Sequence, residues 1–153
     1  MNTIDAVRKS VMVDVPADRA FRVFTEGIDG WWFREHHIGA SELKEVVLEP
    51  RAGGRWYEIG VDGTECQWGH VLQWDPPHRI VLAWQIDATW HFDPKLVTEV
   101  EVRFIVDTPD RTTVELEHRD LERFGADRDT MRSGFDSPGG WQGLLDRFGQ
   151  ATA

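Results

Sequence analysis

Apolar and polar residues alternate in successive short segments between residues 42 and 118, and this period of two limits the fold more than any other feature. Turn-forming residues separate the segments, among them Asp62-Gly63 and Pro76-Pro77. Consecutive strands joined by short turns predict an antiparallel meander. The predicted strands are 43–49, 55–59, 65–74, 79–86, 99–106 and 112–118.

One strand and one helix are predicted before the meander. Residues 7–15 alternate as a half-buried strand does. Pro16 suits the first position of a helix, where its missing N–H costs nothing, and Gly27 is a natural stop. The aromatic segment 28–33 is then expected to fold back onto the body as a short helix or packed turn.

A second helix is predicted at the C-terminus, after a short helix near 127–132. Ser137 is expected to cap it, with Pro138 in its first turn, and Gly149 is expected to end it. Its apolar residues have helical spacing: Trp141, Leu144, Leu145 and Phe148. Because a twisted sheet has one concave face, this helix is the element available to cover it.

Composition limits the partners and the location. A chain of 153 residues suits one domain, 1–153. Lys and Arg total 17 against 27 Asp and Glu, and this net charge of −10 argues against nucleic acid and anionic membrane. The single cysteine, Cys66, fits a reducing compartment. No signal peptide and no membrane-spanning stretch are visible, so we expect a cytoplasmic protein.

Large aromatic rings are concentrated on the faces that should point inward. In 65–74 the alternation places Trp68, Leu72 and Trp74 on one face. Indole rings on a sheet that face Trp141 on a helix can fill a core or wall a pocket for a flat apolar guest. From the residues alone, both interpretations stay open.

Several short stretches, taken in their order along the chain, resemble one superfamily. They are 13–21 at the first strand–helix junction, Gly53-Gly54-Arg55-Trp56-Tyr57-Glu58, 75–84, Val114-Glu115-Leu116-Glu117-His118 and Gly139-Gly140-Trp141. The chain resembles the START-like or SRPBCC superfamily, whose fold is called the helix-grip. Within it, the chain is similar to the C-terminal domain of activators of the ninety-kilodalton heat-shock chaperone's ATPase.

The resemblance implies an α+β helix-grip fold, in which an antiparallel meander sheet wraps around a long C-terminal helix. It also implies a cavity between sheet and helix, which in the superfamily hosts lipids, plant hormones, polyketides or other apolar molecules. The residues expected to contact such a ligand are Trp32, Trp56, Trp68, Trp84, Phe104, His118 and Trp141. Trp32 would either control entry of a ligand into the cavity or fix its own loop to the body of the protein.

Other reactive residues receive mostly structural interpretations. His118 shares a face with Val114 and Leu116, so it should point inward, either satisfied by a neighbour or as a polar anchor or base for a ligand. His36 and His37 are adjacent and lack the spacing typical of metal ligands. Cys66 is expected to be a buried, unreactive thiol. We therefore predict no catalytic residue, no metal and no cofactor.

Three functions follow as hypotheses. The first is binding of a small hydrophobic or aromatic molecule in the cavity. The second is an enzyme of the polyketide cyclase or aromatase kind, which needs two titratable groups in the cavity, where the pattern places only His118. The third is a chaperone-regulating interaction module. The sequence also leaves a homodimer open.

Overall fold

The computed structural model describes residues 4–153, and these form one seven-stranded antiparallel sheet in the order β1-β7-β6-β5-β4-β3-β2. Strands β2 to β7 are neighbours in the sheet in their order along the chain. The first strand, β1, pairs with the last, β7. The predicted meander is thereby confirmed. The strands are β1 Val7–Val13, β2 Leu43–Leu48, β3 Arg55–Gly60, β4 Glu65–Asp75, β5 Arg79–Trp84, β6 Thr98–Thr108 and β7 Arg111–Arg119.

Three α-helices in the described residues pack with the sheet around one apolar core. They are α1 Ala17–Thr25, α2 Arg128–Asp136 and α3 Trp141–Ala151. The segment after α1 forms a short 3-10 turn at Ile28–Gly30, and Trp31 and Trp32 behind it are both buried. This is the packed turn expected from the sequence. Phe148 on α3 meets Phe24 on α1 at 5.3 Å between ring centroids, which joins the two helices.

The start and end of α3 differ from the prediction. Ser137 does not cap α3: it follows the last residue of α2, and its hydroxyl donates to the Gly134 carbonyl. Gly140 is the residue before the first turn of α3, and the helix runs past Gly149 to Ala151. Proline and serine near a helix boundary mark the junction, but they do not say to which of two successive helices they belong.

The simple alternation expected along β4 is also wrong. The register of β4 shifts once against β3, between Trp56 and Tyr57, and once against β5, between Val71 and Gln73. Each such bulge adds a residue on one strand and changes which side chains face inward. Trp68 and Val71 are consequently buried, whereas Leu72 is only half-buried.

The outer face of the sheet carries a network of ion pairs. Glu101 on β6 accepts from Arg79 Nε at 2.6 Å and from Arg119 at 2.5 Å. Burial would raise the pKa of Glu101, but these two guanidinium groups outweigh it and hold that pKa below its usual value. On the same face, Glu115 pairs with Arg103 and Glu117 pairs with Arg119. This face of the sheet is therefore charged, and the apolar core lies against the opposite face.

Candidate functional site

A cavity of about 570 Å³ lies between the sheet and the two C-terminal helices. Its floor comes from the sheet, and its walls come from α2, α3 and the segment between the 3-10 turn and β2. The buried aromatic residues that line it are Trp32, Trp68, Trp84, Phe135 and Trp141. Four of the eight tryptophans are therefore buried around one space.

The four buried indole groups are fixed by one another and by hydrogen bonds. Their ring centroids lie 5.2 Å apart for Trp32–Trp68, 6.1 Å for Trp32–Trp141 and 5.8 Å for Trp84–Trp141. The pairs are tilted or edge-to-face, as aromatic rings prefer. They line the cavity without interdigitating through it.

Each of these indole N–H groups is already bonded within the protein. Trp32 donates to the His36 carbonyl at 2.9 Å and Trp84 to the Ile86 carbonyl at 3.2 Å. Trp68 donates to the Glu58 carboxylate, and Trp141 donates to a ring nitrogen of His118. The rings consequently offer carbon surface to a guest, and a guest does not have to supply a partner for them.

His118 lies behind this wall and is not among the residues that line the cavity. It is fully buried, and it links Trp141 Nε1 at 3.1 Å to Thr98 Oγ1 at 2.8 Å. Because an indole N–H only donates, His118 Nδ1 must accept, and Nε2–H donates to the threonine hydroxyl. Thr98 in turn donates to the Trp84 carbonyl.

Burial lowers the pKa of His118 to about 3, so its imidazole is neutral at physiological pH. A neutral ring with both nitrogens bonded cannot act as a base toward a ligand. The structure thus favours the first of the two interpretations, a histidine satisfied by its neighbours. Its task is to hold Trp141, which does line the cavity.

Two other predicted ligand-binding residues also lie outside the lining. Trp56 is fully buried below the floor, 5.6 Å from Trp68 and 5.7 Å from Trp84 between ring centroids. Phe104 packs against Phe21 at 5.1 Å, in the core beneath α1. Alternation correctly placed both side chains inward, but inward includes the whole core as well as the cavity.

Glu58 is the buried polar residue that the sequence interpretation missed. Its side chain is only 1% exposed, and one carboxylate oxygen accepts from Ile38 N at 2.6 Å and Trp68 Nε1 at 2.8 Å. The other oxygen accepts from Gly39 N at 3.1 Å. The alternation in Trp56-Tyr57-Glu58 could have revealed it, because it places Glu58 on the same inward face as Trp56.

Polar groups gather where the cavity reaches the surface. Glu35, His36 and His37 line this mouth, and His36 Nε2 lies 2.8 Å from the Gly139 carbonyl, which ties the segment to the start of α3. The remaining mouth residue of note is Trp90, whose side chain is 53% exposed. The mouth thus combines polar side chains with an exposed aromatic ring.

Trp90 adopts an unusual backbone conformation, with φ of 64°. A bulky residue in the left-handed region costs about 1–2 kcal/mol, and such strain concentrates at functional sites. The turn is held by hydrogen bonds between Asp87 and the backbone of Trp90 and His91. The chain therefore retains an exposed indole at the mouth in spite of its backbone cost.

Residues 4–153 include side chains of the types that ligate metals and one thiol, that of Cys66. No group of three or more His, Cys, Asp or Glu side chains is placed to hold a metal ion there. Burial, together with the neighbouring Glu58 and Asp62 carboxylates, raises the pKa of the Cys66 thiol, which keeps it protonated. In the same part of the chain, no helix is long and apolar enough to cross a membrane.

A curled antiparallel sheet with a C-terminal helix over an apolar cavity defines a helix-grip protein of the SRPBCC type, as the sequence predicted. The chain belongs to the family described as activator of Hsp90 ATPase homolog 1-like protein (AHSA1), whose model matches residues 14–153. The predicted resemblance is confirmed.

Solved structures include relatives at moderate identity. Txn09, an anthrahydroquino-gamma-pyrone synthase, is 38% identical over 99% of both chains, with a TM-score of 0.68. CalC from Micromonospora echinospora, a self-sacrificing resistance protein, is 29% identical over 97% of this chain and 94% of its own, with a TM-score of 0.70. CalU16 from the same organism is 23% identical and shares the fold, with a TM-score of 0.62, over 97% of this chain and 76% of its own. No curated protein matches this chain significantly.

Proposed function

We propose that this protein binds a planar aromatic molecule in the cavity between its sheet and its C-terminal helices. The observation that carries the proposal is the wall of four indole groups whose N–H donors are all satisfied within the protein. Such a wall recognises flat carbon surface by stacking and by apolar burial, at about 25 cal/mol per Å². The volume of about 570 Å³ is within the range of roughly 300–1,000 Å³ that is usual for small-molecule sites.

Titration with a hydroxyanthraquinone tests this proposal. Alizarin is a flat three-ring molecule, and its binding would quench the fluorescence of the cavity tryptophans. We expect saturable quenching and, by calorimetry, a 1:1 complex. Native mass spectrometry of freshly purified protein is expected to detect a small molecule that co-purifies with it. Absence of saturable binding to alizarin and to unsubstituted anthraquinone would contradict the proposal.

Filling part of the cavity should weaken binding without unfolding the protein. Gly134 lines the cavity, and a Cβ built on it meets nothing within 4 Å. Gly134→Trp is therefore expected to weaken alizarin binding at least tenfold, or by about 1.4 kcal/mol, with little change in Tm. Gly30→Trp is the matched control, because Gly30 is equally open but lies outside the lining. Equal losses of affinity in both variants would place the ligand elsewhere.

Trp90 at the mouth is expected to stack on the bound ligand. Trp90→Gly removes the ring and also relieves the left-handed backbone, so we expect about tenfold weaker binding but a Tm change equivalent to less than about 1 kcal/mol. Phe92→Ala is the control in the same connecting segment, since Phe92 is also an exposed aromatic residue but does not line the cavity. If affinity for alizarin survives in Trp90→Gly, the exposed indole has no part in binding.

A second candidate is catalysis of the polyketide cyclase kind on the same ligand. The 38% identity with a gamma-pyrone synthase over 99% of the chain favours it. So do the titratable groups Glu35, His36 and His37, which converge at the cavity where the sequence had suggested only His118. A chaperone partner, a homodimer and a cytoplasmic location remain predictions from the sequence and the family resemblance.

A further inference from the structure

His37 lines the cavity with one ring nitrogen bonded to the protein and the other unbonded. Its Nδ1 lies 3.0 Å from the Gly39 carbonyl oxygen. A carbonyl oxygen only accepts, so Nδ1 carries the proton and Nε2 of the neutral ring holds a lone pair. Within residues 4–153 no hydrogen bond uses Nε2, and the side chain is 23% exposed. His37 belongs to the cavity lining, and Nε2 is the proton acceptor that its ring leaves unbonded.

A buried carboxylate stands behind the same ring. Glu58 Oε2 lies 4.0 Å from His37 Nδ1, and the Glu58 side chain is 1% exposed. The carboxylate therefore favours the tautomer in which Nδ1, the nitrogen nearer to it, carries the ring proton. Gly39 allows this approach, since a Cβ there would lie 3.0 Å from Glu58 Oε2 and 3.3 Å from Cys66 Sγ.

Other ionisable groups near this ring are arranged differently. His36 Nε2 lies 2.8 Å from the Gly139 carbonyl, so His36 is bonded across the mouth, and no carboxylate lies within salt-bridge distance of it among the described residues. Glu35 is exposed at the mouth. The Cys66 thiol behind Gly39 is protonated, because its pKa is raised. The pair of Glu58 and His37 is therefore the arrangement suited to accept a proton from a ligand.

We propose, resting on the proposed function, that His37 accepts the proton of an acidic hydroxyl group, a phenol or enol, on the planar aromatic ligand. The ligand O–H bond breaks, an N–H bond forms at His37 Nε2, and the electron pair stays on the ligand oxygen. A phenolate beside an imidazolium results, and no other reactant takes part. Glu58 is a positioning residue in this step. A ligand oxygen activated in this way is the nucleophile that closure of an oxygen-containing ring requires.

The ionisation of bound alizarin tests the inference directly, because its visible absorption moves to longer wavelength when a hydroxyl ionises. The apparent pKa of the bound dye is measured by spectroscopic pH titration in the wild-type protein and in His37→Asn. Asparagine retains an N–H that can donate to Gly39 but lacks the basic nitrogen. We expect the pKa of the dye to be higher in His37→Asn by about one unit, a tenfold lower ionisation constant. His37→Gln serves as a second variant, and thermal melts verify the fold of both.

His78→Gln and His91→Gln are the controls, since both histidines are exposed and lie outside the cavity lining. Both variants should leave the pKa of the bound dye unchanged. A shift of the same size in either control, or dye that binds with the same pKa in the wild-type protein and His37→Asn, overturns the inference while leaving the binding proposal intact. If neither alizarin nor anthraquinone binds, the proposed function itself fails, and the inference fails with it.

Discussion

Replacing Glu58 by leucine is expected to lower the free energy of unfolding by about 3–5 kcal/mol. The carboxylate accepts three hydrogen bonds inside the protein, from Ile38 N, Gly39 N and Trp68 Nε1. Leucine is of similar size but leaves all three donors without an acceptor, and each unpaired buried donor costs about 1–3 kcal/mol. Urea denaturation followed by circular dichroism measures the change.

Glu65→Leu is the matched control for this substitution. Glu65 is also on the β3–β4 ribbon, but its side chain is 48% exposed and pairs only with Arg55 at the surface. Surface ion pairs contribute about 0–1 kcal/mol, so we expect a small effect. A loss below about 1 kcal/mol in Glu58→Leu would mean that the three donors find other partners, and the segment 37–39 would then not depend on this carboxylate.

Acid is expected to destabilise the protein through His118, beginning near pH 6.5. Burial lowers the pKa of His118 from 6.5 to about 3 in the folded state. Between these values the unfolded chain takes up a proton that the folded chain does not, so the free energy of unfolding falls as the pH falls. The slope is about 1.4 kcal/mol per pH unit, and the loss from this group approaches about 5 kcal/mol near pH 3.

Most carboxyl groups do not titrate between pH 6.5 and 5, so the effect of this histidine can be measured there. We expect the free energy of unfolding to fall by about 2 kcal/mol across this range. His118→Gln should remove this slope, because a glutamine amide can accept from Trp141 and donate to Thr98 without titrating. Urea midpoints at several pH values provide the measurement. His78→Gln, at an exposed position, is the control and should retain the wild-type slope. A wild-type stability that is flat across this window would show that the pKa of His118 is not lowered in the folded protein.

The tryptophan positions show how far alternation can predict a site. Trp68 and Trp84 occupy inward positions of predicted strands, and both line the cavity. Trp56 and Phe104 occupy equally inward positions but lie in the solid core. A period of two distinguishes the two faces of a strand, but it does not distinguish the part of a face under a helix that packs closely from the part under a cavity.

The polar residues show a second limit. Glu58 was missed although alternation placed it inward, because the acceptor role of a buried carboxylate depends on donors 10 to 20 residues away on other segments. The sequence gives His37 no role beyond the lack of metal-ligand spacing, since nothing in His36-His37 shows that only one of the two rings lies near a carboxylate. Hydrogen-bond partners of this kind are set by the tertiary approach of segments that are distant in the chain.

The amino-acid sequence by itself determined the strand–helix–meander–helix order and the antiparallel pairing. These follow from local periodicity and turn residues, which act between near neighbours. The helix-grip fold was implied by the resemblance of short stretches of the sequence to one superfamily. Only the tertiary structure decided that a cavity of about 570 Å³ remains, that His118 is neutral behind its wall, and that Glu58 stands beside His37. Empty volume and electrostatic environment are properties of how all the elements pack together, and no single segment encodes them.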